Sequence, residues 1–157
     1  VNIILAGIGA PVCAEEMNFQ PLKVFTGMRT TDNLAESESY FFAELKRLQQ
    51  IIERNKSGEK LFILLDEILK GTNSADKHKG SVGLIKQMIN FHSVTIIATH
   101  DLKLGELEKE FELNIHNYCF ESYIEGEDLQ FDYKLKPGIA KNLNASFLMN
   151  KMGIINS

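Results

Sequence analysis

The sequence predicts an α/β fold built on a parallel sheet, and three observations carry that prediction. Leu61 to Leu65 is a continuous apolar run, the pattern of a strand covered on both faces. Ser93 to Thr99 is a second such run and reads as another fully buried strand. Between them, Asp76 to Phe91 carries Val82, Ile85 and Ile89 at helical spacing, with Lys77, Lys79 and Lys86 placed to face water. Strand, helix and strand in alternation imply parallel pairing through a right-handed crossover.

The remaining elements follow in order. Residues 1 to 10 read as the end of a helix, stopped at Gly9, Ala10 and Pro11, because glycine accepts left-handed angles and proline cannot continue the ladder. Leu22 to Phe25 reads as a short strand. From Ser39 to Arg54 the positions Phe41, Leu45, Leu48 and Ile52 recur at helical spacing, with Ser37 or Ser39 as N-cap and Gly58 beyond the end. Asp101 can cap a helix from Leu102 to Phe111. Ile115 to Ile124 and Leu129 to Leu135 read as two strands joined by a hairpin turn at Glu125 to Asp128, ended by Pro137 and Gly138. A last helix is expected from Leu143 to Met152, stopping at Gly153.

Composition bounds the class. A chain of 157 residues fits a single domain, and one of this size buries about 70% of its unfolded surface. With 44% hydrophobic and 24% charged residues it groups with ordinary globular proteins. The longest apolar stretch, Ile3 to Ala14, is interrupted by Gly7, Gly9 and Pro11 and is shorter than the roughly 20 residues of a membrane span. No basic residue precedes it and no small-residue cleavage site follows, so a signal peptide is not indicated and a cytoplasmic protein without a membrane partner is expected. Cys13 and Cys119 read as buried thiols rather than a bridge or a zinc site. A net charge of -4 with scattered lysines gives no footprint for nucleic acid. Val1 lies directly inside an apolar pattern, and the sequence reads as a fragment of a longer chain.

The chemistry-bearing residues cluster between Leu61 and His100. Asp66 ends the first buried strand, at the edge where open parallel sheets bind ligands, and a carboxylate there suits magnesium, which takes one or two carboxylates plus phosphate oxygens and waters. Glu67, one residue on, is placed to orient and deprotonate an attacking water. The plainer reading is a strand leaving the core for solvent. Gly71 to Asp76 forms a polar turn opening the next helix, where N–H groups and small hydroxyls such as that of Ser74 meet phosphate, although N-capping by Ser74 explains the turn equally well. His100 ends the second strand on the same side of the sheet as Glu67, where it senses a terminal phosphate or simply faces solvent.

Together these residues resemble the carboxyl-terminal ATPase domain of the MutS family, the DNA mismatch-repair proteins and their relatives. The resemblance extends over GIGAPVCAEE, DNLAESESYFFAEL from Asp32 to Leu45, DEILKGTNSAD, ATHDLKL from Ala98 to Leu104 and YKLKPGIA from Tyr133 to Ala140. It implies a three-layer P-loop NTPase core of the ABC-ATPase type, a mainly parallel sheet with a carboxyl-terminal hairpin and helix, incomplete on its amino-terminal side. By that resemblance Asp66 and Glu67 are the Walker B pair for magnesium and the attacking water, and His100 is the switch histidine. Ser39 matches the signature serine offered in trans to the other subunit's triphosphate, and the Gly71 to Asp76 loop, with Ser74 and Asp76, links the two nucleotide sites. The cofactors implied are ATP and magnesium, and the partners a second copy of the chain and DNA gripped by regions outside these residues.

Three departures accompany the resemblance. Glu38 and Tyr40 flank the serine where the family has small or basic residues before it and threonine after, and Lys77 stands where it often has glycine. The phosphate-cradling GxxxxGK[ST] loop is not found in the 157 residues, so this stretch alone is expected to bind ATP poorly and to leave a gap and open edges in its sheet. Two alternatives remain: an ABC-type ATPase subunit of a transporter or chromosome-organising complex, although SESYF is not the LSGGQ-like signature of a transporter, and a non-catalytic dimerisation module.

Overall fold

The computed structural model describes residues 1–27, 40–126, 128–141 and 144–155. They form two compact units, Val1–His100 and Asp101–Ser157. Ser37, Glu38 and Ser39, the N-cap and signature candidates, lie outside the described residues.

The first unit is mixed α/β. Its elements are α1 (Asn2–Gly7), β1 (Lys23–Gly27), α2 (Tyr40–Lys56), β2 (Leu61–Asp66), α3 (Ser74–Met88) and β3 (Val94–Ala98). The three strands form one parallel sheet in the order β1-β2-β3, with Phe25 opposite Ile63, Ile63 opposite Thr95 and Asp66 opposite Ala98. Leu61, Ile63 and Leu65 of β2 point to one face, where they form a single core cluster with Leu48 and Ile51 of α2 and Met88 of α3. Period-two alternation sends Phe62, Leu64, Val94 and Ile96 to the other face.

That other face corrects the expected burial of β3. Val94 and Ile96 are 53% and 54% exposed, because β3 is an edge of the described sheet and the helical core cluster lies against the opposite side. The apolar composition of β3 therefore reports a strand suited to two-sided cover rather than one that has it among the described residues.

The helices also sit rotated from the expected stripes. In α2 the inward row is Phe41, Leu48 and Ile51, while Leu45 is exposed. The rotation is set by β1: the Arg47 guanidinium donates to the Thr26 carbonyl at 2.7 Å, and Arg47 and Arg54 lie over the Phe25 ring at 5.1 and 5.7 Å. Asn55, buried at the end of the same row, donates to the Ile51 carbonyl and accepts from the Ser93 hydroxyl, which itself accepts from the Leu61 N–H. A buried amide is thereby satisfied and ties α2 to the entry of β2. Gly58, with φ +85°, lets the chain turn out of α2 at little steric cost. In α3 the buried positions are Ser81 and Met88, with Leu84 packed beside them, so the helix turns Lys77 inward as well.

The second unit departs further from the reading of its sequence. The helix expected over Leu102 to Phe111 is a 3-10 helix, Leu102–Glu106, followed by a single turn α4, Leu107–Glu110; Asp101 caps it by accepting from the Lys103 N–H at 3.1 Å. The first expected long strand divides into β4 (Tyr118–Cys119) and β5 (Ser122–Glu125), and β6 (Asp128–Phe131) and β7 (Lys136–Pro137) follow. β5 and β6 form the anticipated hairpin, turning through Gly126 at φ +63°. Pro137 pairs with Tyr118 instead of ending the sheet, in a two-strand ladder where its missing N–H is tolerated at an edge. Asp132 accepts from Lys136 at 2.8 Å, and this hydrogen bond holds its carboxyl below the usual range. Helix α5 (Ala145–Lys151) closes the unit, with Gly153 at φ +67° beyond it. Both cysteines are unbridged, and Cys13 is exposed rather than buried. No helix among the described residues is long and apolar enough to cross a membrane.

Candidate functional site

The site is built where β2 and β3 end. Asp66 is the last residue of β2, and the Glu67 N–H continues the ladder one step by donating to the Ala98 carbonyl at 2.8 Å. The chain then leaves the sheet abruptly. Glu67 and Leu69 have φ of 49° and 60°, the left-handed region that costs side-chain-bearing residues roughly 1–3 kcal/mol each. Burial of Ile68 and Leu69 in the core cluster offsets that cost.

The carboxylates emerge among two lysines and an imidazole. Glu67 Oε1 lies 3.9 Å from His100 Nε2 and 3.8 Å from Lys77 Nζ, and the Asp66 carboxylate lies 3.7 Å from Lys70 Nζ. The structure therefore brings Glu67 and His100 together at one rim, with Asp66 adjacent. His100 is 93% exposed, whereas the Glu67 side chain is only 26% exposed. Lys77 was expected in water; its ammonium reaches Glu67 instead, because residue 77 sits one turn before the buried Ser81 on the inward row of α3.

The turn into α3 is capped by Asn73, one residue before the Ser74 that the sequence offered. Asn73 Oδ1 accepts from the Asp76 N–H at 2.9 Å while its amide donates to the Asp76 carboxylate at 2.7 Å. Ser74 is the first helical residue and exposed, and the Asp76 carboxylate is engaged by the cap. Replacing Asn73 with Ala is expected to lower stability by about 1 kcal/mol, read as a shift in the denaturation midpoint; no shift would show that the cap is dispensable.

Glu44, to which the sequence pattern assigns no role, and Gly71, which opens the polar turn, complete the loop's seat. Glu44 of α2 accepts from the Leu69 N–H at 2.5 Å and from the Lys70 N–H at 3.2 Å. Gly71 packs so closely on α2 that an added Cβ would lie 2.6 Å from Phe41 Cβ and 3.2 Å from its Cα. A signal for Glu44 existed: it interrupts the Phe41, Leu48, Ile51 row with a charge where the helix faces the core.

For a metal, Asp66 presents one hard oxygen donor whose nearest cation stands beyond hydrogen-bond distance. Among the described residues no group of three or more His, Cys, Asp or Glu side chains is assembled for an ion. The donor set fits magnesium held largely by a nucleotide's phosphates and water, and does not fit an all-protein metal cage.

Acidic and imidazole groups gathered beyond the carboxyl ends of parallel strands define an α/β protein with a polar rim at the edge where open parallel sheets bind ligands. The profile of the family described as MutS domain V matches residues 1–152, and the chain belongs to that family. It is 33% identical over 165 residues to the DNA mismatch repair protein MSH3 of Eremothecium gossypii, an alignment covering 98% of this chain and 16% of that protein. It is 35% identical over 133 residues to the DNA mismatch repair protein MutS of Fusobacterium nucleatum, covering 83% and 14%. MutS protein homolog 4 of Mus musculus is 28% identical over 148 residues, covering 90% and 15%. The chain thus spans about one sixth of the length of these relatives. Membership decides in favour of the MutS reading over the transporter or chromosome-organising subunit.

Proposed function

We propose that this chain is the ATP-binding and ATP-hydrolysing domain of a MutS-like DNA mismatch-repair protein, built on a three-layer P-loop core that polypeptide outside these residues completes. The parent protein acts as a homodimer in the cytoplasm and binds DNA through other regions. The observation that supports this most directly is the rim geometry: a half-buried Glu67 carboxylate 3.9 Å from His100, beside Asp66 at the end of the central strand.

Hydrolysis proceeds by in-line attack of water on the terminal phosphate. Glu67 orients that water and takes its proton, and His100 contacts the phosphate from the next strand. Asp66 would hold magnesium, which supplies charge neutralisation on the phosphate oxygens. Lys77, at 3.8 Å from Glu67, keeps that side chain from swinging out to solvent. Ser39 serves the partner's triphosphate, and Ser74 and Asp76 lie on the loop linking the two sites.

Asp66→Asn in the parent protein tests the reading. It is expected to raise the magnesium concentration needed for half-maximal ATP turnover by about tenfold, since one ionised ligand is lost. An unchanged magnesium dependence would remove Asp66 from the site. The second reading, a non-catalytic dimerisation module, draws on Lys77, whose ammonium stands 3.8 Å from the Glu67 carboxylate where the family often has glycine. Turnover by the parent protein separates the two.

A further inference from the structure

We propose that Glu44 is a positioning residue that sets Glu67 for catalysis, an inference that rests on the ATPase reading above. Its carboxylate is the acceptor for two successive N–H groups in the loop immediately after Glu67, Leu69 at 2.5 Å and Lys70 at 3.2 Å. The two donors meet different oxygens, Oε1 and Oε2, and a carboxylate is the side-chain group that offers both without a competing donor.

The loop needs such a clamp. Glu67 and Leu69 both hold left-handed backbone angles that an unrestrained chain would leave. On one side Glu67 is pinned to β3 through its N–H to the Ala98 carbonyl. On the other, the chain is pinned to α2 at Glu44 and again where Gly71 meets Phe41, one turn earlier on the same helix. The Glu67 side chain projects from the short span between these anchors. Its placement relative to a water nucleophile follows from how α2 holds the loop, and a displacement of about 1 Å costs on the order of 100-fold in rate.

Glutamine has nearly the shape of Glu44 but one acceptor oxygen, and its amide would face a loop N–H. The test is steady-state ATP hydrolysis by the full parent chain carrying Glu44→Gln, Glu67→Gln, or both. Glu44→Gln is expected to lower kcat about 10- to 100-fold while KM for ATP stays within about twofold, the split of a group that acts on the chemical step. In the Glu67→Gln background the same change should add nothing, because the group that it positions is already gone. Glu44→Asp, which keeps the charge on a stem one methylene shorter, should also lose turnover and serves where the glutamine variant fails to fold. Wild-type kcat in both Glu44 variants beside a crippled Glu67→Gln would overturn the positioning role alone. A full multiplicative loss in the double variant would show that Glu44 acts independently of Glu67 and would likewise overturn it. Wild-type turnover in Glu67→Gln would overturn the base assignment, and this inference with it.

Discussion

Glu67→Gln in the parent protein is expected to reduce ATP turnover by about 100- to 10,000-fold while leaving nucleotide binding in place. Glutamine preserves the shape of the side chain and leaves the Glu67 N–H bonded to the Ala98 carbonyl, so the loop keeps its path. What it removes is the ability to accept a proton. It also discharges the partner that His100 and Lys77 face at 3.9 and 3.8 Å, leaving the imidazole and the ammonium open to phosphate oxygens. Binding should therefore hold or tighten as turnover collapses. The check is paired: hydrolysis rate at saturating ATP, and nucleotide affinity from a titration that does not depend on turnover. Unchanged turnover would take Glu67 out of the mechanism, and equal losses in binding and rate would mean that the substitution had damaged the site rather than its chemistry.

Ile63→Ala should be the most destabilising of the simple core truncations. Ile63 is fully buried in the middle of the central strand, flanked by Phe25 and Thr95 on the neighbouring strands and packed in the cluster with Ile51 and Met88. Removing its branched end from both helices and the sheet costs about 2–5 kcal/mol, depending on how far the surroundings collapse. Val94→Ala, on the open face, should cost within about 0.5 kcal/mol, as surface substitutions do. Denaturant unfolding of both variants checks the contrast. Equal losses would mean that the open face is covered in solution and that the sheet is buried on both sides.

The order of strands and helices in the first unit was legible because β2 and β3 are short apolar runs and α2 and α3 carry a repeat of three and four. The finer orientation was not. A helix with apolar residues at 41, 45, 48, 51 and 52 supports more than one inward row, and the choice fell to Arg47 and Arg54 gripping Phe25, a tertiary contact without a local signature. The same holds for Lys77, whose charge argued for water while its position on α3 placed it beside Glu67. The rim was readable from the rule that ligands gather at strand ends, which brought Glu67 and His100 together from residues 33 positions apart. Glu44 was marked only by its charge within the Phe41, Leu48 and Ile51 row, and the backbone N–H groups that it accepts from leave no trace in the order of side chains. In the second unit the strands are two to four residues long, too short for period-two alternation to locate their breaks.

Leu69 holds a left-handed backbone with an almost fully buried side chain. Such a residue is quiet only while its neighbours press on it, and Gly80 of α3 packs against its Cδ1 so tightly that an added Cβ would lie 2.5 Å away. Any tilt of α2 or α3 therefore changes the balance that keeps the peptide in its awkward well. The acids at the rim ride on a segment whose backbone cost is met by the side chains of two helices, so the placement of those acids is tied to the packing of α2 and α3.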